Sequence, residues 1–121
     1  MPHVPIDIQV RREAGALVAR VEHAQLYRDD LCAELRNQLV CLVEACEAPI
    51  LVIDLSRVRE LGSRLIGALV LIRKATEDRG GKMALAQMSD AVAMSFRVAG
   101  LQKTLRGFDS VAEAARQLTR A

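Results

Sequence analysis

The stretch ILVIDLSRVRELGSRLIGALVLIRKATEDRGGKMALA, residues 50–86, predicts a strand, a helix and a second strand. Residues 50–54 form a continuous apolar run rich in β-branched side chains, which is typical of a strand covered on both faces. Apolar residues then recur at helical spacing between Leu65 and Ala75, and residues 82–86 indicate the next strand. A strand, a helix and a strand in this order predict a right-handed parallel crossover.

The sequence before this stretch predicts a hairpin and one helix. Residues 6–10 and 16–21 are rich in β-branched and apolar side chains, and residues 11–15 suit the connection between them. Apolar positions at helical spacing in residues 31–46 predict an amphipathic helix that ends before Pro49. An acidic pair precedes this helix, where the N-terminus of a helix favours negative charge.

The sequence after the stretch predicts two more helices and a short strand. Ser89 and Asp90 suit the start of a third helix that stops at Gly100. A last strand over residues 105–108 precedes an S-x-x-E capping box that begins at Ser110. We therefore expect a single domain of 121 residues in the α/β class. Its sheet should be open and mixed, mostly parallel with an antiparallel N-terminal edge hairpin, and about four helices should pack on it.

Four residues are expected to shape turns between these elements. Asp54, at the end of its strand, can accept a hydrogen bond from the backbone of the turn that follows. Glycines can close helices in a backbone conformation that a β-carbon would resist. We assign this second role to Gly80, Gly81 and Gly100.

The balance of charges and the scarcity of aromatic residues argue against nucleic-acid binding. The chain has 17 basic and 15 acidic residues, and the resulting net charge of +2 provides no electrostatic footprint for a polyanion. One Tyr, two Phe and no Trp leave little surface on which bases could stack. We therefore expect no direct nucleic-acid partner.

The sequence predicts neither a membrane span nor a secretory signal nor a metal site. Its longest apolar run, residues 65–72, is far shorter than the roughly 20 residues of a spanning helix. The N-terminus lacks a basic start followed by a long apolar segment, so we expect a cytoplasmic protein. Cys32, Cys41 and Cys46 have no CxxC spacing, and we expect reduced thiols rather than disulfides or zinc ligands.

The sequence contains no complete catalytic motif. The RGGK at residues 79–82 resembles the end of a phosphate-binding loop, but it follows a helix, and Met83 stands where that motif needs Ser or Thr. Asp54 has the strand-end position of a phosphorylated receiver aspartate, but no acidic pair follows the first strand. We therefore expect a protein that is not an enzyme and that uses no cofactor.

Ser63 has two interpretations at the start of the second predicted helix. As an N-cap, its side-chain oxygen would bind a free amide of the first turn, and this alone accounts for the residue. The helix N-terminus would also tolerate a phosphate on Ser63, with Arg59 and Arg64 on either side. The residues alone leave both interpretations open.

The order of these motifs resembles the STAS domain, which is found in sulphate transporters and bacterial anti-sigma factor antagonists. In that family a strand ending in D-L-S/T is followed by a D-S motif that opens a helix, a G-G turn, a strand, and a short helix ending in G-L. The corresponding positions here are Asp54, Ser63, Gly80, Gly81, Gly100 and Leu101. Gly62 replaces the aspartate of the D-S motif, and Arg64 and Leu65 replace a small residue and a glycine.

The resemblance implies a non-enzymatic regulatory protein that binds an anti-sigma factor, itself a serine kinase of the histidine-kinase-like ATPase fold. It also implies that this kinase phosphorylates Ser63, that a PP2C-type phosphatase removes the phosphate, and that the protein is a monomer or weak homodimer. The partner would contact the residues around the serine. These partner-binding candidates are Arg57, Arg59, Gly62, Ser63, Arg64, Ile66 and Gly67.

Two alternatives use the same fold. A constitutive scaffold or oligomerising module would bind partners without being phosphorylated, and the departures at Gly62 and Arg64 favour it. A nucleotide or small-ligand sensor would instead use the carboxyl edge of the parallel sheet, where ligands of open α/β sheets bind.

Overall fold

The computed structural model describes residues 6–120, and within them seven strands form two sheets. The strands are β1 (Ile8–Glu13), β2 (Ala16–Val21), β3 (Gln25–Leu26), β4 (Ile50–Asp54), β5 (Glu60–Leu61), β6 (Lys82–Ala86) and β7 (Gly107–Phe108). The helices are α1 (Asp29–Glu44), α2 (Ser63–Asp78), α3 (Asp90–Val98) and α4 (Val111–Thr119). The larger sheet has the order β1-β2-β4-β6-β7, and β3 pairs with β5 in a separate ribbon.

The larger sheet is mixed. β1 and β2 are antiparallel, whereas β4 is parallel to both β2 and β6, and β6 is parallel to β7. The structure therefore confirms the predicted open sheet with an antiparallel hairpin at its N-terminal edge. The four helices within residues 6–120 also agree with the predicted number.

The first hairpin is tighter than the sequence indicates. Ala14 and Gly15 form a two-residue turn, and their φ angles are both positive, at 51° and 84°. Turns of this kind match the right-handed twist of paired strands. The prediction of a strand over residues 6–10 and a connection over residues 11–15 is therefore wrong, because pairing continues up to Glu13. The charged residues before the turn remain in the strand because β1 lies at the sheet edge and is largely exposed.

Alternating side chains of β4 fill two apolar layers on opposite faces of the sheet. Leu51 and Ile53 pack in one core with apolar residues of α1, α2 and α3. Val52 packs in a second core with residues of α4, among them Ala114 and Leu118. Because helices cover both faces, β4 is apolar on both sides, as the continuous run in the sequence predicts.

Two helices begin at serine N-caps. The side-chain oxygens of Ser89 and Ser110 each accept a hydrogen bond from the amide three residues later, at 3.2 and 3.0 Å. These bonds satisfy donors that have no partner within the first turn of α3 and α4. Both predicted serine caps are therefore confirmed. The reciprocal bond of the predicted capping box does not form within residues 6–120, since the Glu113 carboxylate accepts hydrogen bonds from Arg116 and Gln117 instead.

Glycines follow the ends of α2 and α3. Gly80 and Gly100 have positive φ angles of 76° and 73°, a conformation in which side chains with a β-carbon are strained. Gly81 lies so close to the next segment that a β-carbon there would overlap the carbonyl oxygen of Pro49. The glycine pair thus ends α2 and brings the chain directly into β6.

Candidate functional site

The ribbon of β3 and β5 anchors the segment between β4 and α2. Two consecutive amides, of Arg59 and Glu60, donate to the carbonyl oxygen of Ala24 at 2.8 and 3.0 Å. The Gly62 amide donates to the Leu26 carbonyl oxygen at 3.1 Å. Three backbone hydrogen bonds therefore fix the residues immediately before α2.

Asp54 ends β4 and begins the turn into this segment. It is 2% exposed, and its Oδ1 accepts a hydrogen bond from the Ser56 amide at 2.9 Å. The Leu55 amide donates to the Ala86 carbonyl oxygen at 2.9 Å, and Val58 is buried in the core. The turn is thus attached to the sheet at its start and to the core farther along.

Ser63 is the first residue of α2, and the expectation that it is the N-cap is wrong. Gly62 occupies the N-cap position in an extended conformation, with φ −111° and ψ 178°, and it has no side chain that could bind the first turn. Ser63 lies one position too far into the helix for its hydroxyl to take that role. Among residues 6–120 this hydroxyl has no hydrogen-bond partner, and Ser63 is exposed.

An ion pair and an open cavity lie beside Ser63. Arg64 Nε is 3.2 Å from Asp29 Oδ1, and the two side chains are 70% and 71% exposed. This pair joins the N-termini of α1 and α2. Both residues line a cavity of about 460 Å³ together with Ser63, Arg36 and Gly67. A hydroxyl, guanidinium groups and a carboxylate thus share one solvent-accessible surface.

Tyr27 lies against the backbone of Gly62. A β-carbon at Gly62 would be 3.2 Å from Tyr27 Cδ1. The Tyr27 hydroxyl donates to Glu60 Oε2 at 3.1 Å, and the side-chain amide of Gln25 donates to the same oxygen at 3.1 Å. Partial desolvation raises the pKa of the Tyr27 phenol above 10.0, and the hydrogen bond and charge of Glu60 act in the same direction. These contacts hold the ring beside the start of α2.

Cys32 lies at the base of the same cavity, in the first turn of α1. Burial raises the pKa of its thiol above 9.0, and the charges of Asp29 and Asp30 add to this effect, whereas Arg64 opposes it. A protonated thiol is a weak nucleophile. The exposed group that the cavity offers for modification is therefore the hydroxyl of Ser63.

The other predicted site residues lie around this surface without forming one cluster. Gly67 lines the cavity just described, and Ile66 is half-buried against the core. Arg57 is exposed, with its Nε 3.8 Å from Glu22 Oε2. Arg59 is exposed in a separate depression next to the β3–β5 ribbon.

Arg57 belongs to a second cleft, of about 670 Å³, at the carboxyl ends of β2 and β4. The polar residues that line this cleft include Arg11, Arg20, Asp54, Ser56, Arg57 and Gln87. Its arginines already have acidic partners: Arg20 pairs with Glu22, and Arg11 Nη2 is 3.2 Å from Glu13 Oε1. The positive charge of the cleft is therefore largely compensated.

Within residues 6–120, no helix is both long enough and apolar enough to cross a bilayer. In the same part of the chain, no group of three or more His, Cys, Asp and Glu side chains could hold a metal ion.

The sequence model of the STAS domain matches residues 15–114. The chain belongs to the STAS domain family. The match begins just before β2, ends within α4, and therefore includes Ser63 and the whole segment before it. No curated protein matches the sequence significantly.

The fold of this STAS chain is similar to those of solved STAS structures. An anti-sigma-factor antagonist (STAS) domain protein from Planctomyces limnophilus is 20% identical with a TM-score of 0.84, and the alignment covers 93% of this chain and 98% of that one. An anti-sigma factor antagonist from Mycobacterium paratuberculosis is 24% identical with a TM-score of 0.78, and 96% of each chain is covered. The Bacillus cell fate determinant SpoIIAA in its phosphorylated form is 15% identical with a TM-score of 0.67, and the alignment covers 92% of this chain and 98% of that one. At these identities the likeness shows the fold.

Tertiary structure alone brings Tyr27 and Asp29 close to the neighbours of Ser63. Tyr27 contacts Gly62 through the β3–β5 ribbon, and Asp29 reaches Arg64 from the start of α1. The sequence indicates Asp29 only as an acidic residue at a helix start, and it gives no sign of Tyr27. Since each pair is far apart in the chain, no local pattern could have identified these contacts.

Proposed function

We propose that this STAS chain is a non-enzymatic protein-binding module that acts as an anti-sigma factor antagonist in the cytoplasm. Its partner is an anti-sigma factor that is also a serine kinase of the histidine-kinase-like ATPase fold. The partner binds the surface around Ser63 and transfers a phosphoryl group to that residue. The protein acts as a single domain that is a monomer or weak homodimer.

The observation that carries this proposal is the position of Ser63. The residue is exposed, its hydroxyl has no partner within residues 6–120, and three backbone hydrogen bonds fix the segment before it. An acceptor serine has to enter the active site of another protein, and a free hydroxyl on an anchored segment can do so without local unfolding. Family membership and the likeness to a phosphorylated form of SpoIIAA support the same role.

Phosphorylation acts on the proposed interface through charge and desolvation. The kinase transfers the γ-phosphoryl group of ATP to Ser63 Oγ, the hydroxyl proton is lost, and ADP leaves. The phosphate adds about −1.5 to −2 charges and three acceptor oxygens. A surface that fits a neutral hydroxyl then has to accommodate a charged group, so the complex dissociates. A PP2C-type phosphatase hydrolyses the ester, which restores the hydroxyl and releases inorganic phosphate.

The proposed partner surface combines cationic side chains with small residues and one half-buried apolar side chain. Its members are Arg57, Arg59, Gly62, Ser63, Arg64, Ile66 and Gly67. The three arginines are exposed, and they would complement acidic groups of the partner. A β-carbon built on Gly67 meets no atom within 4 Å, so another protein can approach the backbone of α2 closely there.

The test combines capture of the partner with phosphate transfer. Immobilised protein retains its partner from an extract of the source cells, the complex is incubated with ATP, and mass spectrometry locates the phosphate. We expect the phosphate on Ser63. We also expect Ser63→Asp to lose the partner, whereas Gln102→Asp retains it, because this control adds the same charge to an exposed residue between α3 and β7, outside the proposed surface. An unmodified Ser63 after incubation with an active captured kinase would contradict the proposal.

A second candidate is constitutive binding through the same surface. It is favoured by Gly62, which stands in place of the aspartate of the family motif, and by Arg64, which places a bulky cation next to the serine. In that case Ser63→Ala and Ser63→Asp would both bind the partner like the wild type, whereas Arg64→Ala would weaken binding.

A third candidate is a nucleotide or small-ligand sensor that uses the cleft at the carboxyl ends of β2 and β4. The acidic partners of its arginines make this cleft a weak anion site. Titration calorimetry with ATP and GTP separates this candidate from the others. Heat that disappears in Arg57→Ala would support it, and the absence of heat would exclude it.

A further inference from the structure

Arg64 and Asp29 form an exposed ion pair at the mouth of the cavity that Ser63 lines. Arg64 Nε lies 3.2 Å from Asp29 Oδ1, and about 70% of each side chain is exposed. An exposed pair of this kind contributes little to stability, with a typical value below about 1 kcal/mol. The guanidinium is therefore free to exchange its partner at little cost.

We propose that Arg64 binds the phosphate on Ser63. When Ser63 is modified, the Arg64 guanidinium leaves the Asp29 carboxylate and pairs with that phosphate instead. This inference rests on the proposed phosphorylation of Ser63. It assigns a regulatory role to a residue at which the chain departs from the family motif.

The exchange follows from the charges that face the cavity. A carboxylate carries one negative charge, whereas a serine phosphate carries about −1.5 to −2 and presents three acceptor oxygens. A guanidinium forms stronger, bidentate hydrogen bonds with such a group. Asp29 lines the same cavity and its carboxylate would repel the phosphate, so the stronger pairing of Arg64 with the phosphate has to outweigh this repulsion.

The exchange determines how strongly phosphorylation acts on a partner. A phosphate that pairs with Arg64 presents less uncompensated charge to the interface than a bare phosphate does. The carboxylate of Asp29, released from its pair, becomes available at the start of α1. Phosphorylation thus changes the surface in two ways. It adds negative charge at Ser63, and it changes which charged groups are paired at the starts of α1 and α2.

The experiment installs phosphoserine at position 63 of the full chain by nonsense suppression and follows its second ionisation by ³¹P NMR. We expect its pKa to lie below the ordinary value of about 6 and to rise by about 0.5 to 1 in Arg64→Ala, since an opposite charge nearby favours the dianion. Arg64→Lys should restore part of the difference. Asp29→Asn should lower the pKa further, because it removes both the competitor and the like charge.

Lys74→Ala is the matched control, since Lys74 is an exposed cation of the same helix that pairs with Asp78. It should leave the phosphoserine pKa unchanged. Equal pKa values in the wild type and Arg64→Ala would overturn the proposal, because any stabilisation would then come from the amides of α2 or from Arg36, which lines the same cavity. The titration needs neither kinase nor partner, so its outcome is independent of whether a kinase modifies Ser63 in the cell.

Discussion

The ring of Tyr27 covers Gly62, so that a β-carbon at position 62 would lie 3.2 Å from Tyr27 Cδ1. This contact connects the β3–β5 ribbon to the N-cap of α2. It also opposes the aspartate that the family motif has at this position, since a β-carbon there requires the ring to shift by a few tenths of an ångström. Gly62 and Tyr27 should therefore be energetically coupled.

A double-mutant cycle tests this coupling. In the wild type, Gly62→Asp should change the free energy of unfolding by less than about 0.5 kcal/mol, because the better cap is offset by the displaced ring. In a Tyr27→Ala background the same substitution should stabilise the protein by about 0.5 to 1 kcal/mol, because aspartate is a few tenths of a kcal/mol better than glycine as an N-cap and its charge also favours the helix N-terminus. Urea denaturation measures both values. Tyr27→Phe keeps the ring and should behave like the wild type, whereas equal effects of Gly62→Asp in all backgrounds would exclude the contact.

Ser63 and Ser110 should respond differently to removal of their hydroxyl groups. Ser63→Ala should change the free energy of unfolding by less than about 0.5 kcal/mol, because the exposed hydroxyl has no partner within residues 6–120. Ser110→Ala should cost about 1 kcal/mol, since its side chain caps α4 at 3.0 Å from the Glu113 amide. Thermal unfolding of the two variants measures how much stability each one loses. A comparable loss for both would mean that Ser63 has a structural role.

The sequence predicts the parts of the fold that depend on neighbouring residues. The apolar run of β4 and the caps at Ser89 and Ser110 are local patterns, and the structure confirms them. β3 and β5 have two residues each, which is too short for an alternating pattern. They exist because each pairs with the other across a long stretch of chain, so no local signal predicts them.

The site is predictable only in part. The motif order identifies Ser63, but local preference also favours serine over glycine as an N-cap, and the structure gives that position to Gly62. The ion pair between Arg64 and Asp29 depends on how α1 packs beside α2, which the sequence does not reveal. Contacts between residues that are distant in the chain but close in space are therefore the part of the site that the sequence does not predict.

The alkaline stability of the protein should depend on Cys32. Its thiol pKa is raised in the folded state, so the folded protein holds this proton more tightly than the unfolded chain does. The resulting stabilisation is fully present below the unfolded pKa of about 9 and is lost as the pH rises through the folded pKa. The unfolding free energy of the wild type should therefore fall more steeply than that of Cys32→Ala as the pH rises above about 9.

Urea denaturation at a series of pH values measures these slopes. The raised pKa of the Tyr27 phenol contributes to both proteins and cancels in the comparison. Cys41→Ala removes an exposed thiol from the same helix and should keep the wild-type slope. Parallel curves for the wild type and Cys32→Ala would show that Cys32 ionises equally in both states.

The two glycines after α2 should differ in their tolerance of a methyl group. Gly81→Ala should cost at least about 2 kcal/mol, because the new β-carbon would overlap the backbone of Pro49 and neither segment can move without breaking the start of β6. Gly80→Ala should cost about 1 kcal/mol, since there is space around it and only its φ of 76° opposes the substitution. Chemical denaturation of both variants measures the difference, and equal costs would contradict the close approach at Pro49.

Two substitutions at Gly67 should distinguish effects on stability from effects on partner binding. It lies inside α2, where glycine is less favourable than alanine by about 0.5 to 1 kcal/mol, and a β-carbon there meets no atom within 4 Å. Gly67→Ala should therefore raise the free energy of unfolding by that amount. Gly67→Leu fills the cavity beside Ser63 and should weaken binding of the captured partner at least about tenfold, which corresponds to about 1.4 kcal/mol.

The matched control is Ala91→Leu, which adds a similar volume to an exposed position of α3. This variant should bind the partner like the wild type. Thermal unfolding gives the stability of all three variants, and calorimetry with the purified partner gives their affinities. If Gly67→Leu folds and binds as tightly as Ala91→Leu, the cavity between α1 and α2 lies outside the interface. The partner would then have to contact Ser63 from the side of Tyr27 and the β3–β5 ribbon.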